Sequence, residues 1–297
     1  MINLAPIRYS KAMISDGGPI ARMEHSFGDV FGEACVHAVT FLKEGIVNSQ
    51  YLKLRVTDQP DGAGCHATAQ VACYMAISEA MERWAVHYCR ERVGSGLGGM
   101  DLDGSSNGFA AYPGLFRRQA RRFAYRESIE RHCLICWWEG LLGHCYVEGA
   151  WPGVTAISID NPFSSHAVVV LWTMTGHGQA YAFGAGDNVK HATRRAQVEL
   201  DRTRSLLKHL FQASLPLFAQ KSGDVFERRI SYFSKGVGME LFLERLRKSP
   251  SATVPRHELL FDAAVRGPWD SYASVWRTII EAPSREYLTD AEDYFFW

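Results

Sequence analysis

Ser78-Glu-Ala-Met-Glu-Arg83 and Arg126-Glu-Ser-Ile-Glu-Arg131 are two copies of one pattern, Glu-x-x-Glu-Arg, and their surroundings decide how the chain folds. The first copy lies in a stretch from about Ala67 to Arg92 that contains neither Gly nor Pro. Val71, Met75, Met81 and Trp84 recur there at intervals that keep one side mostly apolar, so a helix is predicted. The second copy lies between Phe116 and Gly140 in a run of strong helix formers, and a second long helix is predicted there. Residues three apart on a helix share a face, so Glu79 points with Glu82 and Glu127 with Glu130. Like charges at that spacing repel. The pairs therefore either lie in water, each arginine adding a surface pair worth less than ~1 kcal/mol, or are neutralised. Magnesium, a hard cation that favours carboxylate and water oxygens and also carries phosphates, is a natural neutraliser. Around Glu79 the neighbours are apolar, and the helix of Glu127 runs on into Cys133-Leu-Ile-Cys-Trp-Trp138. A carboxylate taken out of water needs compensation, so a metal or nucleotide role stands beside solvated faces as an equal reading.

Outward from these helices the pattern changes. Tyr146 to Phe183 is β-like, with Val154-Thr-Ala-Ile-Ser-Ile159 and Ala167-Val-Val-Val-Leu-Trp172 as its clearest strands. Thr175-Gly-His-Gly-Gln179 reads as a hairpin turn returning through Ala180-Tyr-Ala-Phe183. Further helices are predicted over about Lys190 to Phe211, stopping before Pro216, and over Met239 to Lys248; Ser274 to Glu281 is a late strand. Gly94 to Gly108 reads as an extended loop. Helices and strands mix without βα alternation, so the fold class is α+β.

The remaining features narrow the function. Lysine plus arginine equals aspartate plus glutamate, so bulk charge gives no attraction for nucleic acid or membranes. The arginine clusters at 117–122 and 194–195 read as solvated helix faces. The amino terminus lacks the apolar core of a secretion signal, and the apolar runs are too short to span a bilayer. Seven cysteines in 297 residues form no secreted disulfide framework, and their odd number favours reduced thiols in a cytoplasmic setting. Cys133-Leu-Ile-Cys136 is a single C-x-x-C, read as small apolar residues within a helix. Gly184-Ala-Gly186 lacks the rest of a dinucleotide or P-loop fingerprint and reads as a turn. The aromatic tail from Tyr294 to Trp297 is either a docking strand or part of the core.

Three motifs in order resemble the YcaO family. Gly64-Cys-His-Ala-Thr68 followed by Ala76 to Arg83 is similar to its Gly-Lys-Gly segment and E-x-x-E-R helix. Ser105-Ser-Asn-Gly108, leading to Glu127-Ser-Ile-Glu-Arg131, is similar to its Ser-Asn-Gly turn and second glutamate pair. Arg195-Ala-Gln-Val-Glu-Leu-Asp-Arg-Thr-Arg204 is similar to its T-E-L-x-Q-x-R helix. The resemblance covers about Asp61 to Leu207. It implies one YcaO-like domain over 1–297, with mixed or antiparallel sheets packed against the motif helices, that binds ATP and Mg²⁺. The implied metal ligands are Glu79, Glu82, Glu127, Glu130 and Glu199. The implied nucleotide contacts add Arg83, Ser106, Asn107, Arg131 and Arg204. The implied activity is ATP-dependent O-phosphorylation of a backbone amide in a ribosomally made peptide, giving an azoline or a thioamide. The expected partners are that peptide, a separate protein that recognises its leader, and a second copy of the chain. Neither nucleic acid nor membrane is expected.

The sequence departs from the family pattern at several positions. Cys65 stands where the lysine is expected, His66 where the next glycine is, and Arg202 where the third motif has glutamine. Tyr112, Pro113 and Gly114 replace a glycine and polar pair. These departures support the alternative of a catalytically degenerate scaffold or peptide-binding subunit.

Overall fold

The computed structural model describes residues 3–14, 16–46, 60–92, 96–148, 151–212, 224–251 and 255–295, with the side chains of 210–212 left out. The described residues fall into two compact units, one drawn from Met1–Leu52, Asp58–Ser128 and Leu259–Ile280, the other from Ile129–Glu258 and Glu281–Trp297.

The first unit opens with α1 (Ala5–Ala12), followed by β1 (Ile20–Val30), β2 (Glu33–Leu42) and β3 (Gly62–His66), an antiparallel sheet in that order. Helix α2 (Ala69–Arg90) packs on this sheet. Strand β4 (Ser106–Tyr112) pairs with β10 (Ser274–Ile280), which pairs with β9 (Leu259–Val265). Tyr9, Ile77, Met81, Phe109, Trp269 and Val275 share one core. The first half of α3 (Arg118–Trp138) belongs to this unit and its second half to the other.

The second unit carries a four-stranded antiparallel sheet, β5 (His144–Tyr146), β6 (Val154–Ile159), β7 (Ala167–Thr175) and β8 (Gly178–Gly186). Helices α4 (Val189–Gln212), α5 (Val225–Phe233) and α6 (Gly236–Arg247) complete it. The aromatic tail is core: Tyr294 and Phe295 are buried, and the Phe295 ring stacks on Tyr181 with centroids 4.4 Å apart. The last two tail residues, 296 and 297, and the stop before Pro216 lie outside the described residues.

The architecture is α+β, as the sequence predicts, and the expected long helices and central strands are present. Two turn assignments are corrected. Ser106, Asn107 and Gly108 begin strand β4, and Gly184 to Gly186 end strand β8. In both places glycine serves close packing rather than reversal of the chain. Strands β1 and β9 and helices α1 and α5 carry no signal strong enough to read in advance. β1 has six consecutive exposed residues, so no inward-facing alternation marks it; its ten-residue register with β2 makes it a strand.

The C-x-x-C pair lies inside α3 as expected, with Cys133 and Cys136 buried and burial pushing both thiols up. Beside them His132 is fully buried, its Nε2 3.1 Å from the Arg256 carbonyl oxygen and its ring against Phe163. Burial first, and then His257 nearby, pushes its pKa down from 6.5 to about 4. The unfolded chain takes up a proton below pH ~6.5 while the native state resists it until about 4, so stability is lost as pH falls through that window. At ~1.4 kcal/mol per tenfold difference in proton affinity, His132 accounts for on the order of 3 kcal/mol. Urea unfolding at pH 7 and pH 4.5 should show the loss, and His132→Phe should shrink that difference by about 2 kcal/mol. An unchanged pH slope in the variant would place the acid sensitivity elsewhere.

Candidate functional site

The motif glutamates are placed by a strand-on-helix contact that recurs three times. On α2, alanines at 72, 76 and 80 form a small-residue row, and β3 lies directly on it through Gly62 and Gly64. A Cβ on Gly62 would collide with the Ala76 carbonyl and come within 2.6 Å of the Ala80 nitrogen. Gly108 of β4 meets α3 in the same way, with the Ala124 carbonyl and the Ser128 nitrogen in its path. Gly184 of β8 meets Ala192 and Ala196 of α4. Only a residue without a side chain lets a strand approach a helix backbone so closely.

This approach brings strand N–H groups within reach of the carboxylates. Ala63 of β3 donates to Glu79 at 2.9 Å, and Phe109 of β4 donates to Glu127 at 3.0 Å. Ala111 of β4 donates to Glu82 at 2.8 Å, and Ala185 of β8 donates to Glu130. The first glutamate of each pair thus binds the strand preceding its own helix. The second binds the strand preceding the next motif helix. Among the described residues, β3, β4 and β8 each lie at the edge of a sheet, where an N–H lacks a strand partner. The four half-buried carboxylates close those edges.

Strand β4 therefore gathers two sequence-predicted ligands from two helices, since Glu82 and Glu127 are fastened to N–H groups two residues apart on one strand. Glu79, Glu82 and Glu127 belong to the first unit and Glu130 and Glu199 to the second. A carboxylate with one oxygen held by backbone has its direction fixed, which suits a hard cation such as magnesium. Glu199 is different. It is exposed on α4, and its Oε1 lies 2.7 Å from Nη1 of Arg202. Counting from the alanine that opens each motif (Ala76, Ala124, Ala196), Arg202 occupies the place of the second glutamate. The third copy replaces a carboxylate pair with an ion pair.

The other predicted residues have separate placements. Arg83 donates from Nη1 to the Pro60 carbonyl at 3.0 Å and lies 3.9 Å from Glu79. Arg131 hydrogen-bonds the side chain of Tyr287. Ser106 is buried on β4, and Asn107 donates to the Gly104 carbonyl. Arg204 is exposed on α4. The strand donors Ala63, Phe109, Ala111 and Ala185 went unread in the sequence. A signal is present for two of them, Ala63 and Ala185, each the middle of a Gly-Ala-Gly (62–64 and 184–186) facing a helix with alanine at every fourth position.

No family model matches the chain, and no curated protein matches it. Among solved structures, it is similar to the YcaO protein of Methanopyrus kandleri, determined bound with AMPPCP and Mg²⁺. The two share 14% sequence identity with a TM-score of 0.51, over 93% of this chain and 87% of that one. The fold is YcaO-like. Among the described residues, no helix of this YcaO-like chain is long and apolar enough to cross a membrane.

Proposed function

We propose that this chain binds ATP with Mg²⁺ and uses it to activate a peptide backbone amide. The observation that carries the reading is the pair of carboxylates, Glu82 and Glu127, anchored from two helices onto one strand. The YcaO-like fold supports it, as does the nucleotide analogue and magnesium in the M. kandleri structure. Glu79, Glu130 and Glu199 complete the proposed acidic set; Arg83, Arg131 and Arg204 would balance phosphate charge, and Ser106 and Asn107 would contact the nucleotide. Magnesium, when bound, screens the phosphate oxygens. In the reaction the amide oxygen attacks the γ-phosphorus and ADP leaves. A Cys, Ser or Thr side chain then adds to the amide carbon and phosphate departs, closing an azoline; sulfide in its place gives a thioamide. Such phosphoryl transfer depends mainly on positioning and charge neutralisation. The substrate is a ribosomally made peptide in the cytoplasm, delivered by a protein that recognises its leader, with the enzyme acting as a homodimer.

Two observations favour a second reading, a scaffold that has lost ATP chemistry: Cys65 in the lysine position, and the Glu199–Arg202 ion pair. Calorimetric titration of Mg²⁺-ATP separates the two. The enzyme reading expects saturable binding that weakens at least about tenfold in Glu82→Gln, since one charge is lost while an acceptor for Ala111 remains. Absence of binding by the folded wild-type chain would leave the scaffold.

A further inference from the structure

We propose that Cys35, His37 and Cys65 form a zinc site on the first sheet, on the face turned away from α2. The assignment rests on residues of β2 and β3 and is independent of the nucleotide reading. Val36 and Ala38 pack against Ala72 and Ala76 of α2, so Cys35 and His37, one residue out of phase, emerge on the other face. Gly62 and Gly64 likewise meet α2, which turns Cys65 the same way as His37. His37 and Cys65 are cross-strand partners in the β2–β3 register. The Cys35 sulfur lies 3.2 Å from His37 Nε2. All three ligand atoms lie within 4.8 Å of one another.

The neighbouring strand makes room for this geometry. Gly28 of β1 lies opposite Cys35, and a Cβ there would sit 2.9 Å from His37 Cδ2 and 3.1 Å from Nε2. The imidazole therefore leans over Gly28, toward the Cys35 sulfur. Zinc bonds of ~2.3 Å to sulfur and ~2.0 Å to nitrogen place tetrahedral ligand atoms about 3.5–3.8 Å apart. Small side-chain rotations reach that spacing from the one observed. Two sulfurs and one imidazole suit zinc rather than magnesium or calcium. Binding would replace two thiol protons with the metal. Three protein ligands leave a fourth position for water or an incoming thiolate, the ligand count of a reactive rather than a structural zinc. Cys65, in the place of the expected lysine, thus acquires a role of its own. The buried helical cysteines Cys89, Cys133 and Cys136 offer no comparable group: among the described residues this is the one such gathering of His, Cys, Asp and Glu ligand atoms.

The test is zinc binding by the full chain under reducing conditions, read by elemental analysis after gel filtration and by competition with a chromophoric chelator. Cobalt(II) substitution reports the ligands through thiolate-to-cobalt charge-transfer absorption. One zinc per chain is expected for the wild type and for Cys145→Ser, which alters an exposed cysteine outside the cluster. Cys35→Ser, Cys65→Ser and His37→Gln should each weaken zinc binding more than about 100-fold, beyond the loss typical of outer-shell residues. Either cysteine variant should also lose about half of the charge-transfer intensity, because one of two thiolates is gone. If Cys65→Ser fails to fold, His37→Gln, altered at a half-buried strand position, still decides the matter. Substoichiometric zinc in the wild type, unchanged affinity in the cluster variants, or stoichiometric copper instead of zinc would overturn the assignment.

Discussion

Gly108→Ala should destabilise the protein by about 3 kcal/mol or more, although it adds a single methyl group. The Cβ would strike the Ala124 carbonyl and lie 2.7 Å from the Ser128 nitrogen, both backbone atoms of α3. A flexible side chain could swing aside, but a helix backbone cannot. Moving β4 outward would stretch the Phe109 and Ala111 hydrogen bonds to Glu127 and Glu82, so relief of the clash costs the anchoring of the site. With total stabilities of ~5–15 kcal/mol, a loss of this size removes much of the folded population at physiological temperature. Gly236→Ala is the control: a Cβ there meets open space, and stability should change by less than about 1 kcal/mol. Urea denaturation of both variants checks the prediction, and a Gly108→Ala midpoint equal to that of the wild type would refute the close-packing account.

The second large effect concerns Glu130, whose observed structural role can be separated by the choice of substitution from the metal-binding role proposed for it. Glu130→Gln keeps a carbonyl oxygen to accept the Ala185 N–H, while the charge is lost and an amide NH2 replaces the second oxygen. Its fold should persist, while Mg²⁺-dependent phosphate release in the presence of a peptide substrate falls at least about 100-fold, or ~2.7 kcal/mol in the barrier. Glu130→Ala removes the acceptor as well. Ala185 is fully buried, so its orphaned N–H should cost about 1–3 kcal/mol of stability. Full turnover by Glu130→Gln would show that this carboxylate only closes a sheet edge. Equal stability of the Gln and Ala variants would show that the hydrogen bond contributes little.

Much of the architecture is legible in the sequence. The two E-x-x-E-R runs lie in long Gly- and Pro-free stretches, and both are helices. Val154 to Ile159 forms a strand with the predicted bounds, because β-branched alternation there coincides with real burial on both sides. The glycine signals are more ambiguous. Ser105 to Gly108 and Gly184 to Gly186 look like turns by local chemistry, since glycine favours reversals and close approaches alike. Which of the two applies depends on whether the helix that follows folds back onto the strand, as it does for both Gly108 and Gly184.

The sequence by itself determined the α+β class, the helices that carry the glutamates and the faces those glutamates share, because periodicity and helix propensity act over a few residues. Only the tertiary structure decided what the carboxylates hold. Ala111 reaches Glu82 across 29 positions and Ala185 reaches Glu130 across 55, and a local pattern can mark a close-packed strand but not the carboxylate that its edge N–H meets. The same holds for Cys35, His37 and Cys65. Their convergence comes from strand register, which is fixed by Val36 and Ala38 packing on α2 and by glycines that let β3 lie against that helix.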